Sequence, residues 1–389
     1  MGRSQTVGAS VAVERPGPSS TPSPEGGWRG VRVLVTGHTG FKGAWLSLWL
    51  SELGAEVYGL SLPPPSSEPN LFSIASVDEA CVGRFVDVRD RDAVSQVVRD
   101  IRPDTVFHLA AQSIVLECLR DPVLAFETNV LGTAHLLDAL RTIDELRAVL
   151  VATSDKVYVN DASGRSYQET DALGGADPYS ASKAACEAVV APYRAQYFEE
   201  RGVAVATARA GNVIGGGDFA PHRLASDCVR AAIAGDRVIL RRPEATRPWQ
   251  HVFDCLAGYI RYAALLRGGK DFPPALNFGP STEEAATARV LATELAAALG
   301  GKAPAAEPDA RRAGADAPML SINSDLARRT LDVAPRLSRA AMIRQTANWT
   351  KAWRAGEDMA AYSRRDLALY RRETSGVDGA GAQDVRCVS

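Results

Sequence analysis

Two short stretches gather the side chains able to do acid–base chemistry. One is Asp177-Pro178-Tyr179-Ser180-Ala181-Ser182-Lys183, where a phenol and an ammonium stand four residues apart at a helix start. That spacing puts both on one helix face. A neighbouring ammonium favours phenolate, so Tyr179 can serve as a base. The other is Val151-Ala152-Thr153-Ser154-Asp155-Lys156-Val157-Tyr158. Its apolar half reads as a strand, and a hydroxyl (Thr153), a carboxyl (Asp155) and an amine (Lys156) leave that strand at its carboxyl end. Open α/β sheets place their chemistry there. The three can supply a hydrogen bond, an acid and a base. A Tyr and Lys at this interval would, alone, be an ordinary surface pair. One loop away from the strand-end cluster, they join Thr153, Asp155 and Lys156 as a candidate catalytic group.

Such a group needs a sheet to hold it. Short β-branched runs alternate with helical stretches, which predicts an α/β, Rossmann-like doubly wound parallel sheet. Strands are expected at 31–36, 57–60, 83–86, 105–109, 148–153 and 203–208, and helices at 43–53, 92–101, 123–140 and 180–200. The uniformly apolar strands imply cover on both faces. From about residue 211 the alternation weakens, and short segments such as 238–240 and 276–278 suggest a smaller C-terminal substrate-binding lobe. The expected organisation is a disordered leader (1–28), a nucleotide-binding domain (29–210), the lobe interleaved with it (211–360) and a partly disordered tail (361–389). The leader is Pro-, Ser- and Gly-rich and cannot bury enough surface to offset its ordering entropy.

The first strand runs into Gly37-His38-Thr39-Gly40-Phe41-Lys42-Gly43 and then an apolar helix. Strand, glycine turn and helix in this order make a dinucleotide site, with phosphates at the helix N-terminus. The second strand ends in Tyr58-Gly59-Leu60-Ser61, without the acid that grips a ribose of NAD. The residues therefore leave NAD and NADP open.

Composition narrows the partners. The 389 residues carry 44 Lys and Arg against 46 Asp and Glu, a net charge of −2, which gives nucleic acid no basic surface. The six cysteines, Cys81, Cys118, Cys186, Cys228, Cys255 and Cys387, form no metal-binding spacing and read as reduced thiols of a cytoplasmic protein. No apolar run suits a membrane span, and no metal site is expected.

These motifs, with Phe107-His108-Leu109-Ala110-Ala111-Gln112, Arg209-Ala210-Gly211-Asn212-Val213-Ile214-Gly215-Gly216-Gly217-Asp218 and Arg247-Pro248-Trp249-Gln250-His251-Val252, resemble the CDP-glucose 4,6-dehydratases. These are extended short-chain dehydrogenases of the NAD-dependent epimerase/dehydratase superfamily. The GxxGxxG spacing, the Ser-Asp-Lys triplet and the Arg-Pro-Trp-Gln-His run carry the resemblance, which spans roughly residues 30–355. It implies NAD held by Gly37, Thr39, Gly40, Phe41, Lys42, Gly43, Asp87, Val88, Ala110, Ala111, Tyr179 and Lys183. It implies that Tyr179 takes the proton of a sugar 4-hydroxyl while NAD accepts the C4 hydride. Lys156 then accepts the C5 proton, Asp155 protonates the departing 6-hydroxyl, and hydride returns to C6. Thr153 would orient the 4-hydroxyl, and Lys183 would hold the nicotinamide ribose. Gln112, Asn212, Arg223, Arg247 and His251 would meet a nucleotide-sugar substrate, the two arginines at its diphosphate. His251 and Trp249 read equally as core residues. Family habit implies a homodimer.

Two segments depart from the family, the shorter being the loop after Lys156, which reads Val157-Tyr158-Val159-Asn160 in place of Cys-Tyr-Glu-Asn. Where the pattern runs Pro-Leu-Val-Arg and then Ser-Tyr-Arg-Asp-Pro, this chain has Ser113-Ile114-Val115-Leu116-Glu117-Cys118-Leu119-Arg120-Asp121-Pro122. Glu117 either repels a diphosphate or contacts a sugar hydroxyl. Other readings follow: a nucleotide-sugar 4-epimerase, for which Asp155 and Lys156 have no task, a divergent nucleotide-sugar-modifying short-chain dehydrogenase of secondary metabolism, and a non-catalytic dinucleotide-binding regulator.

Overall fold

The computed structural model describes residues 27–66, 68–161, 163–269, 271–280, 285–307 and 319–374. Seven parallel strands form one sheet: β1 (Arg32–Thr36), β2 (Glu56–Ser61), β3 (Val82–Phe85), β4 (Thr105–His108), β5 (Ala148–Ala152), β6 (Ala204–Ala210) and β7 (Ala275–Phe278). Their order is β7-β6-β5-β4-β1-β2-β3. Chain direction across the sheet reverses beside β1, and parallel sheets bind ligands where this happens. Val35 pairs with Gly59 on one side and Phe107 on the other.

Alternate residues of the central strands enter different cores, which is why those strands are apolar. Val33, Val35, Leu150, Ala206 and Ala208 pack with α1 (Phe41–Glu52) and the later helix Val252–Arg267. Leu34, Val106, Val149, Val151 and Val205 pack on the opposite face with α2 (Arg91–Ile101) and α3 (Gly132–Leu140).

The third and fourth expected helices each contain a wider turn. The run from Pro122 to Leu140 is interrupted by a π turn, Glu127–Leu131, and α4 (Pro178–Tyr193) gives way to another, Arg194–Phe198. A 3.6-residue period does not register such an insertion. The first one turns Asn129 inward, where its Nδ2 reaches Ser182 Oγ at 2.8 Å and its Oδ1 accepts from Gln112 N at 2.8 Å.

Two boundaries differ from expectation. Segment 276–278, expected in the smaller lobe, is β7 of the main sheet, so the chain returns from the lobe to complete its first unit. Trp28, placed in the leader, is buried against Phe107 beneath the Arg267 guanidinium. The start of the expected tail is helical, Met359–Thr374; Leu367 is buried and Tyr370 donates to Asp254 Oδ1 at 2.8 Å. The remainder of the leader (1–26) and the end of the tail (375–389) lie outside the described residues.

The smaller lobe has paired short strands, among them Val213–Ile214 with Gln250–His251, and the helices Leu224–Ala234 and Ala288–Leu299. Trp45 Nε1 donates to Gly216 O at 2.9 Å, tying it to α1.

Because Trp28 is fully buried, Trp28→Ala is expected to lower stability by about 3–5 kcal/mol, read as a falling melting temperature in calorimetry.

Candidate active site

Two glycines shape the nucleotide cradle. Gly37 has φ +75°, and a Cβ there would stand 2.9 Å from Ala110 N. A Cβ on Gly43 would lie 2.0 Å from Gly37 O, so only glycine lets α1 approach the turn. No side chain caps α1 at Gly40, which leaves its first amides for an anion. A cleft of about 700 Å³ runs from this turn across the carboxyl ends of the strands. Gly37, Thr39, Gly40, Phe41, Lys42, Gly43, Asp87, Val88, Ala110 and Ala111, the expected cofactor contacts, all line it. Asp87 is gripped by Arg89, whose Nε sits 3.0 and 3.1 Å from its two oxygens, and this holds the carboxyl below its usual range. Ser61 occupies the β2 end where an acid was missing. Its Oγ lies 2.8 Å from Thr39 Oγ1 and 3.1 Å from Nδ1 of His38, an imidazole kept neutral by burial with its pKa pushed down to about 4.

The reactive group is assembled from β5 and α4. Asp177 caps α4, accepting from the amides of Tyr179 and Ser180 at 2.9 and 3.0 Å. Lys183, one turn later, donates from Nζ to Ala152 O at 3.0 Å, and burial lowers its pKa. Burial raises the pKa of Tyr179, while attraction to Lys156 and a hydrogen bond with Ser154 pull it back. The cation that acts most strongly on the phenol is thus Lys156, where sequence spacing pointed to Lys183. Lys156 Nζ donates to Asp155 Oδ1 at 3.1 Å and to Asn212 Oδ1 at 3.3 Å. Asp155 is 1% exposed, and its Oδ2 has no partner among the described residues.

Thr153 lines the cleft with Ser154, Asp155 and Lys156. Its hydroxyl donates to Glu187 Oε1, on α4, at 2.6 Å. Glu187 is buried one turn beyond Lys183; Thr207 Oγ1 reaches it at 2.8 Å and Arg209 grips it through Nε and Nη2 at 2.9 and 3.0 Å. The hydroxyl beside Tyr179 is that of Ser154, one residue on.

On the substrate side, Gln112, Asn212, Arg223 and Arg247 line the cleft. The Arg223 guanidinium is already engaged, with Asp218 at 3.1 Å and Ser113 Oγ at 2.7 Å. His251 is not at the cleft: its Nδ1 accepts from Phe253 N at 3.2 Å, starting the helix Val252–Arg267, and burial drives its pKa down to about 3. The residue belongs to the core. The divergent segment forms the helix Val115–Arg120, which turns Leu116 and Leu119 to the cleft. Glu117 pairs with Arg120 at 2.9 Å and lies 3.9 Å from His222.

The model of the NAD dependent epimerase/dehydratase family matches residues 33–279. A CDP-glucose 4,6-dehydratase of Salmonella typhimurium is 39% identical over 354 residues, 90% of this chain and 98% of the relative. A dTDP-glucose 4,6-dehydratase of Xanthomonas campestris is 30% identical over 233 residues, 57% and 64% of the two chains. The NAD complex of UDP-glucose 4-epimerase from Thermus thermophilus superposes with a TM-score of 0.70 at 27% identity, covering 82% of this chain and 99% of its own.

Two variants separate the hydroxyls. Ser154→Ala is expected to slow nicotinamide reduction by an oxidisable substrate roughly a hundredfold. Thr153→Val is expected to act mainly on melting temperature, costing about 1–3 kcal/mol because buried Glu187 loses a donor. Absorbance of the reduced nicotinamide and thermal melting read the two effects.

Proposed function

Because the chain belongs to the NAD dependent epimerase/dehydratase family, we propose that it is a nucleotide-sugar 4,6-dehydratase that converts CDP-glucose to the 4-keto-6-deoxy sugar. The observation that carries this is the Asp155–Lys156 pair, 3.1 Å apart, beside Tyr179 in the cleft. Changing the configuration at C4 asks only for Tyr179, Lys183 and a dinucleotide. Removing water across C5 and C6 asks also for an acid and a base, and the cleft has both. An epimerase leaves this buried pair without work, and a mere binding protein leaves the whole group without work.

NAD, when bound along the Gly37–Gly43 turn and beside Lys183, supplies the oxidation at C4 and the reduction at C6. The chain's own residues do the rest. Tyr179, with Ser154 at its hydroxyl, draws the proton from the 4-hydroxyl. Lys183 is held by Ala152 O on the nicotinamide side. The resulting ketone acidifies C5–H, which Lys156 removes while Asp155 protonates the leaving 6-hydroxyl. Arg247, buried at the cleft wall with its Nη1 on Thr246 O, serves the diphosphate. The engaged Arg223 instead joins the 113–119 segment to the lobe.

A cytoplasmic, homodimeric enzyme fits this reading. Cys81, Cys118, Cys186, Cys228 and Cys255 are free and buried, as in a reducing compartment. Among the described residues no helix is long and apolar enough to cross a membrane. Val123, Phe126 and Leu131 lie exposed along the helical run ending at Leu140, an apolar face suited to a second copy.

Purified protein with CDP-glucose and NAD is expected to yield a product lighter by one water, absorbing in base as a 4-keto-6-deoxy sugar. Product from another nucleotide would move the substrate assignment, and a 4-epimer of unchanged mass would end the dehydratase reading. Lys156→Ala is expected to accumulate reduced nicotinamide and stall before water loss, and normal turnover would refute its role. Phe126→Asp should run as a monomer in light scattering.

A further inference from the structure

Water loss from the sugar needs an acid at O6 and a base at C5, but the observed pair stands in the opposite protonation state. Lys156 Nζ donates to Asp155 Oδ1, an ammonium on a carboxylate. An ammonium has no lone pair for C5–H, and a carboxylate has no proton for O6. Burial acts to discharge Lys156, yet attraction to Asp155 and Tyr179 outweighs it and the repulsion of Arg247, so its pKa lies above the ordinary lysine value. Removing that proton is therefore harder than at an ordinary lysine.

We propose that Asp155 and Lys156 form one proton relay, in which Lys156 passes its proton to Asp155 across their hydrogen bond once the substrate ketone fills the cleft. This shift turns ion pair into amine and carboxylic acid. The Nζ lone pair takes the C5 proton, the C5–H electrons become the C5–C6 double bond, and the C6–O bond breaks as Asp155 gives its proton to the departing oxygen. Water leaves, and the pair is again ammonium and carboxylate. Water loss itself takes one proton from the pair and returns one; the proton that Lys156 gives back to C5 as hydride adds to C6 is then replaced from solvent.

The surroundings favour this exchange. Asp155 Oδ1 takes hydrogen bonds from Lys156 Nζ and Ser154 Oγ, both at 3.1 Å, while Oδ2 is buried without a partner among the described residues. Half of the carboxylate is therefore unsolvated, and the neutral pair loses little by comparison. Asn212 Oδ1, from the smaller lobe, holds Lys156 at 3.3 Å and fixes the amine in both states. The other titratable groups facing the pair are Tyr179, Arg247 and Tyr259. A substrate that displaces water from this cleft weakens the support for separated charges.

The inference rests on the dehydratase reading, and one probe keeps the two apart. The 4-keto-6-deoxy nucleotide sugar has an acidic C5–H and needs no oxidation. Its C5 exchange in D2O on the NAD-loaded, full-length enzyme is read by mass spectrometry. Wild-type exchange is expected to stay level between about pH 6 and 9, since the pair holds one proton throughout. Lys156→Met should lower it about a hundredfold or more. Asp155→Asn should climb with pH, because its amine loses its proton to solvent, and Asp155→Glu should restore the level profile. Wild-type exchange rising roughly tenfold per pH unit would overturn the relay, since solvent would then be the proton acceptor. A level profile or no exchange at any pH in Asp155→Asn would overturn it too, as would Asp155→Glu behaving like Asp155→Asn. Wild-type enzyme that dehydrates the sugar but leaves C5 unexchanged also overturns it. Failure of the wild type to dehydrate any nucleotide sugar defeats the dehydratase reading instead.

Discussion

Beneath the cleft, the Glu187 carboxylate binds three elements together. It stands on α4, takes Thr153 from the end of β5, and takes Thr207 and Arg209 from β6. All four oxygen–donor contacts are made away from water, Glu187 being 7% exposed. A buried ion pair with one partner removed costs about 3–5 kcal/mol, so the contact admits little freedom. Lys183 and Tyr179 lie one and two turns earlier on the same helix. Fixing Glu187 against the sheet therefore fixes the separation between the phenol and the strand end that carries Ser154, Asp155 and Lys156.

The same economy governs charge in the cleft. Two buried lysines face it with opposite tendencies. Burial lowers the pKa of Lys183, whose Nζ donates to a backbone carbonyl, whereas at Lys156 attraction to Asp155 and Tyr179 outweighs burial and raises it. Like residues are thus prepared for unlike tasks by their neighbours, one as a neutral-leaning positioner and one as a stored proton. His251 and His38 are kept neutral by burial alone and serve packing.

Most of the sheet was legible because its signals are local. Apolar runs such as 148–153 and the Gly37–Gly43 turn carry their own geometry. The Asp155–Lys156 pair was legible by type and place. What escaped was set by distant partners. Thr153 is a hydroxyl at a strand end, and only folding brings Glu187 to accept from it. Arg223 looks free in sequence because Asp218 and Ser113, which occupy it, are brought there by folding. Trp28 sits in a Pro- and Gly-rich context, and its pocket is built by Phe107 and Arg267 far along the chain. β7 escaped because four residues give no period, and its pairing with β6 spans the intervening lobe.

That late strand has a consequence for the chain as it is made. β6 ends at Ala210 and its outer neighbour begins at Ala275, so the growing polypeptide exposes one raw sheet edge while the lobe is being synthesised. At roughly 5–20 residues per second this lasts several seconds on the ribosome. An unpaired, apolar parallel edge is a template for wrong partners during that interval. The catalytic helix and strand end are complete well before the edge is covered, so the nascent enzyme has its reactive residues before it has its finished sheet.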